Sequence, residues 1–324
     1  MNPEMKADTG TLTVSASPHI RCDESIARIM WSVNIALAPA AIFSVYRFGL
    51  PALTTIVICI LAATATEYCI QKWRNQPVTV NDGSAFLTGL LLAMNIPATL
   101  PWYMPVFGTV AAIALAKHTM GGLGYNIFNP ALVGRAILLA SWPVAMTNWP
   151  EMPSKVDGVT TATPLGLLKL QGYEKVVALF GDQAQMYQAL LSGARNGSLG
   201  ETSAALLILG GLFLIYRGYI NWQVPVCMIG TVGILTAAFG HDPLLHIMTG
   251  GLILGAFYMA TDMVTIPITL KGRIVFAVGA GALTVLIRLL GGYPEGVCYA
   301  ILLMNCVTPL IDLWIKPAKF GAGR

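Results

Sequence analysis

The residues that most clearly offer chemistry form a short polar segment, D-G-V-T-T-A-T, from Asp157 to Thr163. Its pattern is D-x-x-T-x-A-T, and Pro164 and Leu165 follow it. A threonine hydroxyl on an exposed loop can accept an ester bond that a modifying enzyme forms. A polar loop of no special function has the same composition, so this segment alone leaves both interpretations open.

The segment resembles the signal at which a flavin transferase esterifies the phosphate of FMN to a threonine. The resemblance implies that the last threonine, Thr163, carries covalent FMN through a phosphoester, and that the chain transfers electrons. It also implies that the transferase recognises Asp157, Thr160 and Ala162. Where this chain has Thr161, the signal often has glycine.

Two asparagines form a second candidate site, in the segment G-G-L-G-Y-N-I-F-N-P-A that starts at Gly121. Asn126 and Asn129 are three residues apart and share one face if the segment is helical. A buried amide is costly unless it is hydrogen-bonded. The pair therefore either caps the helix that begins at Pro130 or offers donors and acceptors to a ring such as a flavin.

A carboxylate, Asp262, follows an apolar run and lies at or inside a membrane boundary. Carboxylates within a membrane are candidates for function, although a helix N-cap is the alternative interpretation. Glu67, Glu295 and Asp312 lie nearer the ends of apolar segments, and we give them less weight.

The elements that position these residues are membrane helices. The chain has 324 residues, of which 56% are apolar and only 10% are charged, less than half the charged fraction of a soluble protein. The bilayer is therefore its main partner, and we expect no nucleic acid partner. Ten apolar segments approach the roughly 17 to 25 residues of a spanning helix. They are centred on 29–47, 51–70, 84–100, 102–117, 130–147, 201–216, 223–239, 245–260, 274–290 and 296–315.

Lys and Arg predict the orientation of these segments. With the N-terminus in the cytoplasm, twelve of the 19 Lys and Arg face the cytoplasm and six face outward, with Arg135 inside a segment. Positive residues favour the cytoplasmic side, so we expect both termini in the cytoplasm and Thr163 on the outer face.

Five parts of the chain follow from this pattern. Residues 1–28 form a cytoplasmic N-terminal segment, and 29–147 form the first membrane half with five helices. Residues 148–200 form an outer loop with the flavin attachment site. Residues 201–315 form the second half with five helices, and 316–324 form a basic cytoplasmic tail.

The metal-binding residue types are scattered. The six cysteines include no C-x-x-C pair, and the four histidines are equally dispersed. We therefore expect no Fe–S cluster, zinc or other metal site from this chain alone.

An internal repeat links the two halves. The string T-G-L-L-L from Thr88 corresponds to T-G-G-L-I from Thr249, and Gly121-Gly122 corresponds to Gly291-Gly292. Each copy then passes through a break that contains proline. Five spans in each half would make the two halves inverted, which places ligand sites where helices are interrupted. The other interpretation is chance recurrence in a chain with 33 glycines.

The whole chain resembles one family, the D subunits of the Rnf ion-pumping ferredoxin:NAD oxidoreductase, and is similar to the B subunits of the sodium-translocating NADH:quinone reductase. The matching motifs are S-P-H from Ser17, N-D-G-S-A-F-L-T-G-L-L-L-A from Asn81, the segment from Gly121, the segment from Asp157, A-T-D-M-V-T from Ala260 and L-G-G-Y-P-E-G-V from Leu290. The family usually has proline where Met263 follows Thr261-Asp262.

The resemblance implies an all-α membrane protein with about ten helices in two inverted five-helix repeats, distantly like urea transporters, in the prokaryotic inner membrane. It implies covalent FMN at Thr163 and a non-covalent riboflavin near Asn126 and Asn129, with Asp262 from the other half closing that site. The implied partners are the integral A and E type subunits, the FMN-bearing G type subunit, and the cytoplasmic Fe–S subunits of B and C type. The implied role is an electron carrier that couples ferredoxin and NAD electron transfer to Na⁺ or H⁺ translocation.

Two other classes of function remain. A channel or secondary transporter for a small solute would suit the repeat and the interrupted helices equally well, but it has no use for the D-x-x-T-x-A-T segment. A membrane anchor for a redox complex would keep the helices and lose the flavin.

Overall fold

The computed structural model describes residues 24–147, 149, 163–192, 197–201, 203–293 and 295–317. Within these ranges the chain forms helices and no β-strand. The α-helices are α1 (Ile26–Phe48), α2 (Leu50–Trp73), α3 (Ser84–Met94), α4 (Tyr103–Ala111), α5 (Pro130–Ser141), α6 (Pro143–Thr147), α7 (Pro164–Gln171), α8 (Tyr173–Phe180), α9 (Gln183–Ser192), α10 (Ala204–Tyr216), α11 (Gln223–Ala238), α12 (Pro243–Met248), α13 (Leu252–Leu254), α14 (Leu270–Leu290) and α15 (Val297–Trp314). Two π-helical stretches, Ala112–His118 and Gly255–Met259, continue α4 and α13.

Four helices are long and apolar enough to cross a membrane, namely α1, α2, α14 and α15. The other six predicted apolar segments coincide with shorter or interrupted helices. The interruptions have a local cause, because proline and glycine end regular helices. For example, α3 ends at Asn95 before the Ile96-Pro97 break, and α13 starts only after the left-handed Gly251.

Glycine permits close packing within each half. A side chain at Gly89 of α3 would lie 2.7 Å from the Cys59 carbonyl oxygen of α2. In the second half, one at Gly281 of α14 would lie 2.8 Å from the Met228 carbonyl oxygen of α11. Such small residues bring helix backbones together in membrane proteins.

Two of the helix pairings recur between the halves. In the first half α4 contacts both α2 and α5, and in the second half α14 contacts both α11 and α15. The first helices of the two halves, α1 and α10, pack against each other. The Thr-Gly landmarks of the sequence do not occupy equivalent places, since Thr88 lies inside α3 whereas Thr249 precedes α13. The left-handed Gly83 and Gly251, which precede α3 and α13, correspond better.

The predicted outer loop contains three helices, α7 to α9. They enclose a small apolar cluster of Val176, Met186 and Leu190, which Leu245 of α12 completes. This packing attaches the segment that follows Thr163 to the second membrane half.

Candidate functional site

Thr163 is the N-cap residue of α7. Its Oγ1 accepts a hydrogen bond from the Gly166 backbone N–H at 3.1 Å, and Pro164 occupies the first helical turn. The attachment loop suggested an exposed hydroxyl, but Thr163 is buried, with only 5% of the residue accessible to solvent. The recognition residues Asp157, Thr160 and Ala162 lie outside the described residues.

Thr163 opens into a cavity of about 270 Å³, here called the Thr163 cavity. Aromatic side chains line it, among them the buried Trp149 and the pair Tyr293 and Tyr299, whose ring centroids are 5.7 Å apart. Gly166 and Leu170 of α7 form one wall. The cavity thus combines a hydroxyl at a helix N-terminus with flat apolar surfaces.

An ion pair forms part of the lining of the Thr163 cavity. Arg135 of α5 pairs with Glu295, which precedes α15, and donates to Asn95 Oδ1 at 2.8 Å. Both charged residues line the cavity, and the buried Arg135 Nε has no hydrogen-bond partner. The pair joins the two membrane halves. The sequence did not indicate it, because Arg135 is a single charge inside one apolar segment, Glu295 is a single charge at the end of another, and the two are 160 residues apart in the chain.

The second predicted site is brought together by the fold. Asn126, Asn129 and Asp262 line one cavity of about 90 Å³, here called the Asn126 cavity. Its volume is below the roughly 300 to 1,000 Å³ of most small-molecule sites. Phe128 and Tyr125, the aromatic residues next to the two asparagines in the sequence, are not among the lining residues.

The side chains of Asn126, Asn129 and Asp262 differ in how many of their polar atoms form hydrogen bonds within the protein. Asn129 caps α5, because its Oδ1 accepts from the backbone N–H groups of the two residues after Pro130 at 3.1 and 3.4 Å. Asn126 donates to the Phe128 carbonyl oxygen at 3.1 Å, and its own Oδ1 is buried without a partner. Asp262 accepts from the Val264 N–H at 3.3 Å. The cap interpretation is therefore confirmed for Asn129, while Asn126 keeps a free acceptor.

A buried ion pair lies beside the Asn126 cavity. The Lys117 ammonium donates to both oxygens of Glu67 at 2.8 and 2.7 Å, and to Ser84 Oγ at 2.7 Å. The relative exposure of the Lys117 and Glu67 side chains is 2% and 1%. Lys117 and Ser84 both line the cavity. Glu67 lies near the end of its apolar segment, as the sequence indicates, and α2 carries its side chain into the interior.

Outside the membrane helices, two phenols share one carboxylate. Tyr173 and Tyr187 donate to Asp242 Oδ2 at 3.0 and 2.5 Å. Burial first, and the hydrogen bond to Asp242 second, raise the pKa of both phenols. The protonated phenols thus hold α8 and α9 against α12.

Comparison with known proteins matches nearly the whole chain to one family and its members. The model of the NQR2, RnfD, RnfE family matches residues 13–321. The D subunit of the proton-translocating ferredoxin:NAD(+) oxidoreductase complex of Clostridium ljungdahlii is 62% identical, over 99% of each chain. The D subunit of the Na(+)-translocating complex of Acetobacterium woodii is 49% identical, over 97% of this chain and 96% of that protein. The D subunit of the ion-translocating oxidoreductase complex of Halorhodospira halophila is 38% identical, over 95% of each.

Proposed function

The chain belongs to the NQR2, RnfD, RnfE family, and on that premise we propose that it is the D-type membrane subunit of an ion-translocating ferredoxin:NAD⁺ oxidoreductase complex. Relatives that match almost its whole length are subunits of such complexes, which supports this assignment over a solute channel. Its part in the complex is to carry electrons through a bound flavin within the membrane.

The observation that carries the proposal is the position of Thr163. Its hydroxyl lies at the N-terminus of α7 and opens into a cavity with aromatic walls. The N-terminus of a helix favours a phosphate group, because free N–H groups and the helix dipole both attract negative charge. A phosphoester at Thr163 would therefore place the phosphate of FMN where the backbone stabilises it.

The residues around the cavity fit a flavin phosphate in two respects. The buried Arg135 Nε has no hydrogen-bond partner among the described residues and could donate to a phosphate oxygen. Glu295 balances the charge of Arg135, so the cavity does not hold an unpaired cation before the cofactor is attached. Its volume of about 270 Å³ is near the lower bound of roughly 300 Å³ for ligand sites, which suits part of an FMN molecule.

The bound flavin would supply the electron-transfer chemistry. The chain would position it: Thr163 fixes one end, and Arg135 and the N-terminus of α7 hold the phosphate. Trp149, Tyr293 and Tyr299 would exclude water from the ring.

We further propose a non-covalent riboflavin at the Asn126 cavity. The meeting of Asn126, Asn129 and Asp262 in one cavity supports it, and so does the unpartnered Asn126 Oδ1, which can accept from the N–H of a flavin pyrimidine edge. The cavity of about 90 Å³ would have to widen to admit the ring.

The membrane architecture that we propose has about ten crossings in two inverted five-helix repeats, distantly like urea transporters. The recurrence of helix neighbours in the two halves supports it. Both termini would face the cytoplasm and Thr163 the outer side of the inner membrane. Na⁺ or H⁺ would move near Asp262 and the interrupted helices.

The proposed partners follow from the family. They are the integral A and E type subunits, the G type subunit with its own FMN, the cytoplasmic Fe–S subunits of B and C type, and the flavin transferase that modifies Thr163. The lipid bilayer surrounds the helices.

The test of the proposal is in-gel fluorescence of the denatured chain under ultraviolet light. We expect Thr163→Val to abolish the fluorescence, because the ester oxygen is lost. Thr161→Val is the matched control, since it removes a neighbouring hydroxyl that is not the acceptor, and it should keep at least part of the signal. Fluorescence that persists in Thr163→Val would refute the attachment site, and deleting the flavin transferase should mimic the variant.

A further inference from the structure

A second cavity lies on the other side of α7 from the Thr163 cavity. Its volume is about 240 Å³, and Leu165, Leu168 and Lys169 of α7 face it, while Gly166 and Leu170 face the Thr163 cavity. We call it the His246 cavity. The proposed flavin function does not use it.

The charged and titratable lining of the His246 cavity is entirely basic. Lys169 and His241 are exposed and form its rim, whereas His246 and Arg288 are buried at 2% and 4% exposure. Of the described residues, no aspartate or glutamate lines it. The arrangement places positive charge both at the entrance and at the floor.

No carboxylate contacts the buried Arg288. Its guanidinium donates to backbone carbonyl oxygens, among them those of His246 and Glu295 at 2.6 and 2.8 Å. Within the described part of the chain, no carboxylate lies within 4.0 Å of Arg288 or of Lys169. Arginine remains protonated in proteins, and the carboxylates of Glu201 and Glu295 attract Arg288 only from beyond ion-pair distance. A buried charge is costly without a counter-ion in contact with it. An anion in the cavity would place a negative charge in direct contact with the guanidinium.

The carboxylate nearest to His246 along the chain, Asp242, is already engaged elsewhere. Asp242 accepts from the backbone N–H groups of Leu244 and Leu245 through Oδ1, and from the phenols of Tyr173 and Tyr187 through Oδ2. Asp242 is not among the lining residues. It therefore cannot substitute for a bound anion.

His246 gives an independent indication of a ligand. Its ring lines the cavity and is buried, yet neither Nδ1 nor Nε2 has a hydrogen-bond partner in the part of the chain that the structure describes. An imidazole always carries at least one N–H donor, and a buried donor without an acceptor costs free energy. A ligand with acceptor oxygens would satisfy it.

We propose that the His246 cavity binds a phosphate group, either inorganic phosphate or the headgroup of an anionic phospholipid. A phosphate offers several acceptor oxygens and a negative charge, which suit lysine, arginine and imidazole donors that approach from different sides. The volume is too small for a nucleotide but sufficient for a phosphate and the first atoms attached to it. The leucines at positions 165, 168 and 289 provide an apolar wall for those atoms.

The experiment uses the full-length chain in nanodiscs of phosphatidylcholine, with radiolabelled inorganic phosphate in equilibrium dialysis. A second preparation with phosphatidylglycerol is analysed for retained lipid by native mass spectrometry. Lys169→Gln removes one charge from the exposed rim and should weaken binding about tenfold or more. Lys175→Gln removes an exposed charge that does not line the cavity, so it should bind like the unmodified protein. His246→Gln should also weaken binding. If His246→Gln does not fold, because its position is buried, the result for Lys169→Gln alone tests the proposal.

Each outcome is decisive. Saturable binding of inorganic phosphate that is sensitive to Lys169→Gln supports the site and identifies a soluble anion. Retention of phosphatidylglycerol alone, with the same sensitivity, supports the site and identifies a lipid headgroup. Binding of neither probe, or an equal loss in Lys169→Gln and Lys175→Gln, overturns the proposal. Because Thr163 lies on the other face of α7, in-gel flavin fluorescence should not change in these variants, whatever the fate of the flavin proposal.

Discussion

Replacing Glu67 with glutamine removes the negative partner of a lysine that water does not reach. Glutamine has nearly the same size, so the packing of α2 remains and the charge is the main change. In the unmodified protein the Lys117 ammonium has two bonds to Glu67 and one to Ser84. In Glu67→Gln the ammonium would have no carboxylate within 4.0 Å among the described residues.

The magnitude follows from this loss. Breaking a buried ion pair by removing one partner costs about 3 to 5 kcal/mol. Because Ser84 still accepts one hydrogen bond from Lys117, we expect the lower end, about 3 kcal/mol, or roughly a hundredfold in the unfolding equilibrium. The double variant Glu67→Gln/Lys117→Met removes both charges and should recover most of this loss, since apolar replacements of buried pairs are often neutral.

Tryptophan fluorescence during unfolding in mixed detergent micelles measures these free energies, and the chain has seven tryptophans. Glu174→Gln, at an exposed position of α8, is the matched control and should change the free energy of unfolding by about 0.5 kcal/mol or less. If Glu67→Gln is as stable as this control, or if the double variant is less stable than the single one, Glu67 and Lys117 do not form a buried pair.

Three further predictions concern other parts of the chain. In a cysteine-free background, a cysteine within 170–190 should react with an impermeant maleimide from outside intact cells and one after Lys316 should not; the reverse pattern would invert the topology. Asn126→Leu should weaken riboflavin binding roughly ten- to hundredfold, measured as the riboflavin released by acid extraction, and should leave the Thr163 fluorescence intact. Asn129→Leu should in addition lower the free energy of unfolding by about 1 kcal/mol, because it loses the cap of α5. A wild-type chain that releases no riboflavin would refute this hypothesis. The folded pKa of Tyr173 and Tyr187 lies above the unfolded value, so their stabilising effect is complete below pH of about 10 and is lost as the pH rises further. Limited proteolysis should therefore cut α8 and α9 faster in strong alkali, and Tyr173→Phe/Tyr187→Phe should reduce that dependence on pH.

Composition predicted where helices form, because apolar side chains must face lipid or the interior. All ten predicted segments fall on helices. The lengths of the helices were predicted less accurately, since proline and glycine inside several segments shorten the helix while the segment as a whole remains apolar. The burial of Thr163 was missed for a related reason. Thr163 followed by Pro164 is a typical helix start, and that signal indicated α7 within what we interpreted as a loop.

The charged pairs could not be predicted at all. Glu67 and Lys117 are 50 residues apart, and Arg135 and Glu295 are 160 apart. A single charge in an apolar segment looks the same whether it faces the membrane surface or a partner on another helix. The meeting of Asn126 with Asp262 was likewise expected only from the family resemblance, because no local pattern connects the two halves.

The two π-helical stretches determine where polar groups point. An α-helix turns by about 100° per residue, and a π-helical turn contains an additional residue. Side chains near and beyond such a turn therefore face a direction that a continuous α-helix would not give them. Lys117 lies near the end of the first stretch and lines the Asn126 cavity, and Asp262 lines the same cavity from the turn that follows the second stretch. Deleting one residue of the first stretch before Lys117 would rotate that side chain about the helix axis by about 100° with no change of residue type. The length of this stretch therefore determines the direction of the Lys117 ammonium as much as the residue type does.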